Sequence, residues 1–238
     1  MIEDGNFDIP SVYLSEEEGL RLAAFTGNQA VLTSRAERIP SHGWNSIARL
    51  NPSAHRKVIL CAHIDNKPNT PDALSSAPGV ITLMPLAELL KEHPCRGGVE
   101  IVCMNGEDHY AAKGETVYME TIPERLTEIG LVINLDGLGY AGSQTAFSMY
   151  ECPDELAALI RQTLAGHDSL CEGEAWYQSD HTMFLQLGLP CVAFTTHDLA
   201  GIMSEITHTP KDSPDKVDPS SLIQAAFALR DLLHALDG

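Results

Sequence analysis

Two histidines and three carboxylates stand where predicted β-strands end. His63 closes the first of four apolar runs, and Asp136 follows the third. Glu107 and Asp108 follow the second run, and His208 lies in the loop after the fourth. Because the parallel strands of an α/β sheet end at one edge, where such sheets bind ligands, we expect these side chains to meet there. Two imidazoles with carboxylates are typical of zinc rather than of an all-oxygen calcium or magnesium site.

Asp65 lies two residues after His63, at the end of the first apolar run. Side chains alternate between the two faces of a strand, so both residues are predicted to lie on the same face. A carboxylate in that position can orient the imidazole ring of a metal-bound histidine. We therefore include Asp65 among the candidate site residues.

The elements that must position these residues alternate between strand and helix. Apolar runs rich in β-branched residues predict buried strands of a parallel or mixed sheet at 58–65, 99–104, 131–135 and 189–195. Shorter strands are predicted at 9–14, 29–37, 44–50 and 145–150. Helical spacing and capping residues predict helices at 78–92, 153–166 and 219–236. Three further helices are predicted: a short one after residue 15, one that follows residues 105–108 and ends at about 128, and one that begins at 179. This alternation predicts an α/β fold.

Length and composition limit the classes of function. The 238 residues suit one sizeable domain, and 33 acidic against 15 basic side chains give a formal net charge of −18. This charge argues against a nucleic acid or an anionic membrane as partner and favours metal cations or cationic peptide ends. An acidic amino terminus unlike a signal peptide, and six cysteines without paired metal spacing, predict a reduced, cytoplasmic protein.

Five short motifs in order resemble those of the co-catalytic zinc aminopeptidases of metallopeptidase clan MH, family twenty-eight. This family includes relatives of bacterial leucyl aminopeptidase and of glutaminyl cyclases. The matching residues, which span about 44–236, are Ala62-His63-Ile64-Asp65, Gly106-Glu107-Asp108, Asn134-Leu135-Asp136, Ser179-Asp180-His181 with Gly188-Leu189-Pro190, and His208-Thr209 with Asp212. The resemblance implies a three-layer α/β/α fold with a central mixed, mostly parallel sheet, as in zinc peptidases and phosphorylases.

The same resemblance implies a role for each matched residue. It places His63 and Asp108 on one zinc ion, and Asp136 with His208 on the other. Glu107 would be the general base, and Asp65 would support His63 from behind. The implied cofactor is zinc, with two ions expected from the family and one as the alternative.

One position departs from the family pattern. The family bridges its two metals with an aspartate just before a helix, and this position falls on Ser75 or Ser76 here. A serine hydroxyl is a poor zinc ligand, whereas two neighbouring metals need a shared anion. Asp72 is therefore the candidate bridging ligand, if the loop takes a different route. The alternative is that one of the serines caps the helix and Asp72 is a turn residue.

The resemblance implies an enzyme, a metallo-aminopeptidase that removes amino-terminal residues from peptides. Metal-activated water and the carboxylate of Glu107 would carry the hydrolysis. Two alternatives remain: a single-metal or catalytically impaired homologue that binds peptides or metal, and a glutaminyl-cyclase-like acyltransferase. The expected partners are peptides with a free amino terminus.

The resemblance also divides the chain. Residues 1–38 resemble the tail of a protease-associated domain, and residues 39–238 are predicted to form the catalytic domain.

Overall fold

A seven-stranded mixed sheet forms the centre of the computed structural model, which describes residues 12, 14–33, 35, 37, 40–67, 70–108 and 113–237. In chain order its strands are β1 (Ser46–Leu50), β2 (Lys57–His63), β3 (Gly98–Met104), β4 (Ile129–Leu135), β5 (Thr145–Tyr150), β6 (Leu170–Glu172) and β7 (Cys191–Thr196). Their order across the sheet is β1-β3-β2-β4-β7-β5-β6. The neighbouring strands β3, β2, β4 and β7 are parallel, so their carboxyl ends share one edge. β1 and β5 pair antiparallel with β3 and β7.

Helices cover both faces of the sheet. They are α1 (Glu16–Ala23), α2 (Ala77–Glu92), α3 (Gly114–Met119), α4 (Asp154–Leu164), α5 (His181–Leu185), α6 (Leu199–Glu205) and α7 (Pro219–Ala235), with 3-10 helices at Pro123–Glu128 and Pro214–Lys216. Within the described ranges, each helix is too short or too polar to cross a bilayer.

Side-chain alternation along β2 separates two hydrophobic cores. Leu60 packs in the core that α2, α4 and α7 complete. Ile59 packs in the opposite core, with Tyr118 of α3 and Phe184 of α5. Strands buried on both faces need apolar side chains at every position, which is why the central runs are continuously hydrophobic. The predicted three-layer α/β/α fold is confirmed.

The start of α2 lies directly against the ends of β2 and β4. A Cβ atom on Gly79 would come within 2.3 Å of the Leu135 carbonyl oxygen and 2.8 Å of the Ala62 Cβ. Only glycine permits this approach without moving the backbone. The approach brings the loop before α2 to the carboxyl edge of the sheet.

Several predicted elements differ from the structure. The strand predicted at 29–37 is wrong for its described residues, which are exposed and have no strand pairing. The helix predicted to end near 128 is divided into α3 and a 3-10 helix that begins at Pro123, because proline cannot donate the helical hydrogen bond. β6 and α6 were not predicted, since three and seven residues give little periodic signal. Of the strand predicted at 9–14, residues 12 and 14 are exposed and have no strand pairing, and the other residues lie outside the described ranges.

A buried carboxylate on β3, that of Glu100, binds three neighbouring side chains. Glu100 is 2% exposed and accepts hydrogen bonds from Arg125, Tyr118 and Arg49. Burial alone would raise the pKa of Glu100, but the hydrogen bonds outweigh it and lower this pKa to about 2. The ionised carboxylate therefore stabilises the fold above its unfolded pKa of 4.5, and this contribution is lost as the pH falls toward 2.

We expect Glu100→Gln to lower the free energy of unfolding by about 3 kcal/mol near pH 7, because it leaves the partly buried guanidinium of Arg125 without its counter-charge. The difference from the wild type should shrink as the pH falls below 4.5. Urea unfolding at neutral and acidic pH measures both effects. Glu128→Gln is the matched control: Glu128 pairs with Lys57 but is 43% exposed, so its loss should cost much less than the loss of Glu100. Equal losses for the two variants would contradict this assignment.

Candidate metal centre

The carboxyl edge of the sheet brings the predicted site residues together. His63 is the last residue of β2, and Asp136 follows β4 directly. Glu107 and Asp108 lie in the loop after β3, and His208 lies in the loop after α6. All five belong to neighbouring parallel strands or to the connections that follow them, which explains why residues so distant in sequence meet.

His63 and Asp136 form one side of the site. The His63 Nε2 lies 3.5 Å from the Asp136 Oδ1, and Nδ1 lies 3.1 Å from the backbone oxygen of Asp65. An N–H on Nδ1 that donates to this carbonyl leaves Nε2 as the acceptor, which suits metal binding. Burial would lower the pKa of His63, but the Asp136 carboxylate outweighs it and holds this pKa well above its usual value.

Asp108, His208 and Asp72 form the other side. The His208 Nε2 lies 3.2 Å from the Asp108 Oδ1. This contact raises the pKa of His208. Burial would raise the pKa of Asp108, but the hydrogen bond and charge of His208 outweigh it and lower this pKa. Ligand atoms of Asp72, Asp108 and His208 all lie within 4.8 Å of one another. A second group with the same spacing contains His63, Glu107 and Asp108.

The two sides are paired differently from what the family resemblance implied. The expectation joined His63 with Asp108, and Asp136 with His208. In the structure His63 contacts Asp136, whereas His208 contacts Asp108. Asp108 belongs to both groups of neighbouring ligand atoms and lies between the two sides.

Asp72 reaches the site because its loop takes a different route before α2. Its backbone φ is 55°, in the left-handed region that aspartate tolerates better than most residues. The loop is tied to Asp212, whose Oδ1 accepts the backbone N–H of Leu74 at 2.6 Å. Ser76 makes no capping hydrogen bond to the helix; instead its hydroxyl donates to the Asp72 Oδ2 at 2.7 Å. This arrangement contradicts a capping role for Ser76 and turns the other oxygen of Asp72 toward the site.

Asp65 acts on the loop after β3 more than on His63. Its carboxylate accepts the backbone N–H groups of Gly106, Glu107 and Asp108 at 2.8, 3.2 and 3.0 Å. The Asp65 Oδ1 lies 3.9 Å from the His63 Nδ1, too far for a hydrogen bond. The Asp65 carboxylate thus lies near the Nδ1 side of His63, while the backbone oxygen of Asp65 makes the closer contact with this nitrogen. Asp65 is a positioning residue that fixes Glu107 and Asp108.

Glu107 has the electrostatic surroundings of an acid–base group. Burial, followed by the negative charge of Asp136, raises the pKa of Glu107 to about 8. Asp180 is fully buried nearby, and burial together with Glu115 raises its pKa well above the usual value. Buried acids with raised pKa values, clustered as Glu107 and Asp180 are, are typical of a site that binds a cation.

Three buried polar atoms indicate that the site fits a metal ion. The His63 Nε2, the Asp72 Oδ1 and the Asp108 Oδ2 are buried without a hydrogen-bond partner. Such groups normally have partners in native proteins, and a bound cation would satisfy all three. Imidazole nitrogen and carboxylate oxygen suit zinc. A zinc centre held by His63, Asp136, Asp108, His208 and Asp72 therefore agrees with the chemistry of the residues present.

The sequence alone did not indicate Lys67, whose ammonium reaches the same site. Its Nζ donates to the backbone oxygen of Asp108 at 2.9 Å and lies 3.5 Å from the Asp108 Oδ1. Lys67 is in a loop without periodicity, so no sequence pattern fixes the direction of its side chain. His181, in contrast, is not one of the candidate ligands: its two ring nitrogens contact the Trp176 carbonyl and the Asn134 amide.

Comparisons with known proteins agree with this geometry. A probable leucine aminopeptidase of Arthroderma otae is 24% identical over 243 residues, which cover 92% of this chain and 67% of that protein. The glutaminyl cyclase of Porphyromonas gingivalis superposes with a TM-score of 0.66 at 22% identity, over 79% of this chain and 75% of that one. BSAP, a zinc aminopeptidase from Bacillus subtilis, superposes with a TM-score of 0.66 at 22% identity, over 81% of this chain and 49% of that one.

At these identities the solved structures establish a shared fold. The family assignment comes from the family model, which matches residues 45–233. The match includes every strand from β1 to β7 and all of the candidate ligands. The chain belongs to peptidase family M28.

Proposed function

We propose that this protein is a zinc-dependent aminopeptidase that hydrolyses the amino-terminal peptide bond of its substrates. The observation that carries the proposal is the set of buried, unpartnered ligand atoms of His63, Asp72 and Asp108 beside Glu107. The family is one of peptidases, and a curated relative is a probable leucine aminopeptidase. We assign the zinc ligands to His63 and Asp136 on one side of the centre and to Asp108, His208 and Asp72 on the other.

Each residue of the site has a chemical task in this proposal. When bound, zinc supplies Lewis-acid activation of water and of the scissile carbonyl. Glu107 accepts a proton from the attacking water and then delivers it to the leaving amine. Without a bound cation, burial and the charge of Asp136 raise the pKa of Glu107 to about 8. Asp65 keeps Glu107 in place through the backbone of the loop.

The negative charge of the site also favours the proposed substrate class. Glu107, Asp108, Asp136 and Asp72 surround a small region of the sheet edge, in a chain of net charge −18. A free α-ammonium group is attracted to such a region, whereas an acetylated amino terminus is not. We therefore propose peptides with a free amino terminus as substrates.

We expect zinc binding to release protons and to weaken as the pH falls. The metal-free site raises the pKa values of His63, His208 and Glu107, in the last case to about 8. Near pH 7 Glu107 therefore holds a proton that the cation must displace, and the raised pKa values of the two histidines act in the same direction. Zinc affinity should rise with pH and level off above about 8. Calorimetric titration in two buffers of different ionisation enthalpy measures the released protons, and equal heats in both buffers would contradict the expectation.

A glutaminyl-cyclase-like activity is the second candidate. It is favoured by the unequal surroundings of the two sides of the site, because the Lys67 ammonium lies 3.5 Å from the Asp108 oxygen that His208 contacts. Such an acyltransferase can work with a single zinc ion. A catalytically impaired, peptide-binding or metal-binding homologue would have the same inequality but no turnover.

One assay separates these activities. The zinc-loaded protein is incubated with a peptide that begins with glutamine and, separately, with aminoacyl-anilides, and the products are identified by mass spectrometry. An aminopeptidase shortens the peptide by one residue and releases the aniline. A cyclase leaves the peptide at full length and releases ammonia. The proposal predicts shortened peptide, and unchanged substrates in both assays would contradict it.

A further inference from the structure

The position of Lys67 makes the two sides of the metal centre chemically unequal. Its ammonium lies 3.5 Å from the Asp108 Oδ1, the same oxygen that the His208 Nε2 approaches to 3.2 Å. Only 18% of the Lys67 side chain is exposed, and its hydrogen bond to the Asp108 backbone oxygen holds it in place. A permanent positive charge is therefore fixed beside one ligand oxygen of the group formed by Asp72, Asp108 and His208.

A cation that binds this group must share the Asp108 carboxylate with that ammonium. Two like charges a few ångströms apart repel each other, and the repulsion is strongest where water is excluded. Asp108 and Asp72 are both buried, so solvent screens little of the effect.

The side formed by His63 and Asp136 has different surroundings. The His63 Nε2 faces the Asp136 Oδ1, and the charges that act most strongly on His63 are those of Asp136, Glu107 and Asp180, all negative. This side consequently attracts a divalent cation without opposition from an adjacent ammonium.

We propose that Lys67 weakens the affinity of the Asp72–Asp108–His208 group for a divalent cation, so that zinc fills the His63–Asp136 side first and the second site stays weak. The inference rests on the proposed zinc centre and adds the order and inequality of its two sites. Lys67 is thus a positioning residue that sets metal stoichiometry.

The same loop supplies both unusual residues of this side. Lys67 and Asp72 are five positions apart in the connection between β2 and α2. Asp72 brings a carboxylate where the start of the helix offers only Ser75 and Ser76, and Lys67 brings a charge that balances it. One loop therefore supplies both a carboxylate and a positive charge to one half of the centre.

Zinc titration of the metal-free protein, followed by calorimetry, tests the inference. For the wild type we expect one tight site and a second site at least about tenfold weaker. Lys67→Met should strengthen the second site at least about tenfold, whereas Lys67→Arg, which keeps the charge, should behave as the wild type does. Lys57→Met removes a lysine far from the centre and is the matched control. Two equally tight wild-type sites, or no change in Lys67→Met, would overturn the inference.

Two histidine variants locate the tight site without relying on Lys67 substitutions. His208→Ala should keep one tightly bound zinc ion, and His63→Ala should lose it. The opposite result would overturn the order of filling. These titrations need no turnover, so the two proposals can fail separately. Hydrolysis by a protein with two equal sites would refute only the role of Lys67, and unequal sites without hydrolysis would refute only the aminopeptidase.

Discussion

Replacement of Glu107 by Gln is expected to lower kcat for amino-terminal hydrolysis by about 10²- to 10⁴-fold, the usual contribution of a general base. Glutamine has the same shape but cannot take a proton from water. The variant should still bind zinc, because its amide oxygen remains available and His63, Asp136, Asp108, His208 and Asp72 are unchanged. Steady-state kinetics together with zinc content per chain measure both properties.

The control for this prediction is Glu120→Gln, which removes an exposed acid just after α3. It should change neither turnover nor zinc content. Glu107→Gln with wild-type turnover would refute the role of Glu107 as general base. Loss of zinc in the same variant would show that Glu107 is a metal ligand, as its proximity to His63 and Asp108 also permits.

Replacement of Asp72 by Asn is expected to weaken zinc binding by the Asp72–Asp108–His208 group at least about 100-fold. Loss of a residue that only supports a metal ligand already lowers metal affinity about 10- to 100-fold, so loss of a ligand should cost at least as much. Hydrolysis should fall with it. Asparagine keeps the shape and the hydrogen bond from Ser76, so the loop should retain its path. Zinc titration and kinetics at saturating zinc measure the two effects.

A second substitution can restore the missing charge from the start of the helix. The Ser75 Oγ lies 3.5 Å from the His208 Nε2, so an aspartate at this position would place a carboxylate at the same site. The double variant Asp72→Asn with Ser75→Asp should recover most of the lost zinc affinity. If Asp72 is only a turn residue, Asp72→Asn will bind zinc as the wild type does, and the assignment of Asp72 as a zinc ligand fails.

The sequence predicted the parts of the centre that lie on regular structure. His63, Glu107, Asp108 and Asp136 follow apolar runs that could become only buried strands, and parallel strands place their ends together. The three-layer architecture followed from the family resemblance, and the structure confirms it. Elements longer than about five residues with clear periodicity, such as α2, α4 and α7, were predicted close to their observed bounds.

The loops could not be predicted in the same way. Three features of the site depend on tertiary contacts: the direction of the Lys67 side chain, the left-handed backbone of Asp72, and the hydrogen bonds that Asp65 accepts from the backbone of residues 106–108. Loop side chains lack the periodicity that fixes a face, so sequence spacing did not predict that His63 contacts Asp136 and His208 contacts Asp108.

The most direct test of the central claim is the zinc content of protein purified without chelator, measured by elemental mass spectrometry. The proposed centre predicts about one zinc ion per chain as purified, a second ion only at higher free zinc, and none in the His63→Ala variant. A wild-type protein that contains no zinc, and takes up none when zinc is added, would contradict the metal centre and the aminopeptidase proposal with it.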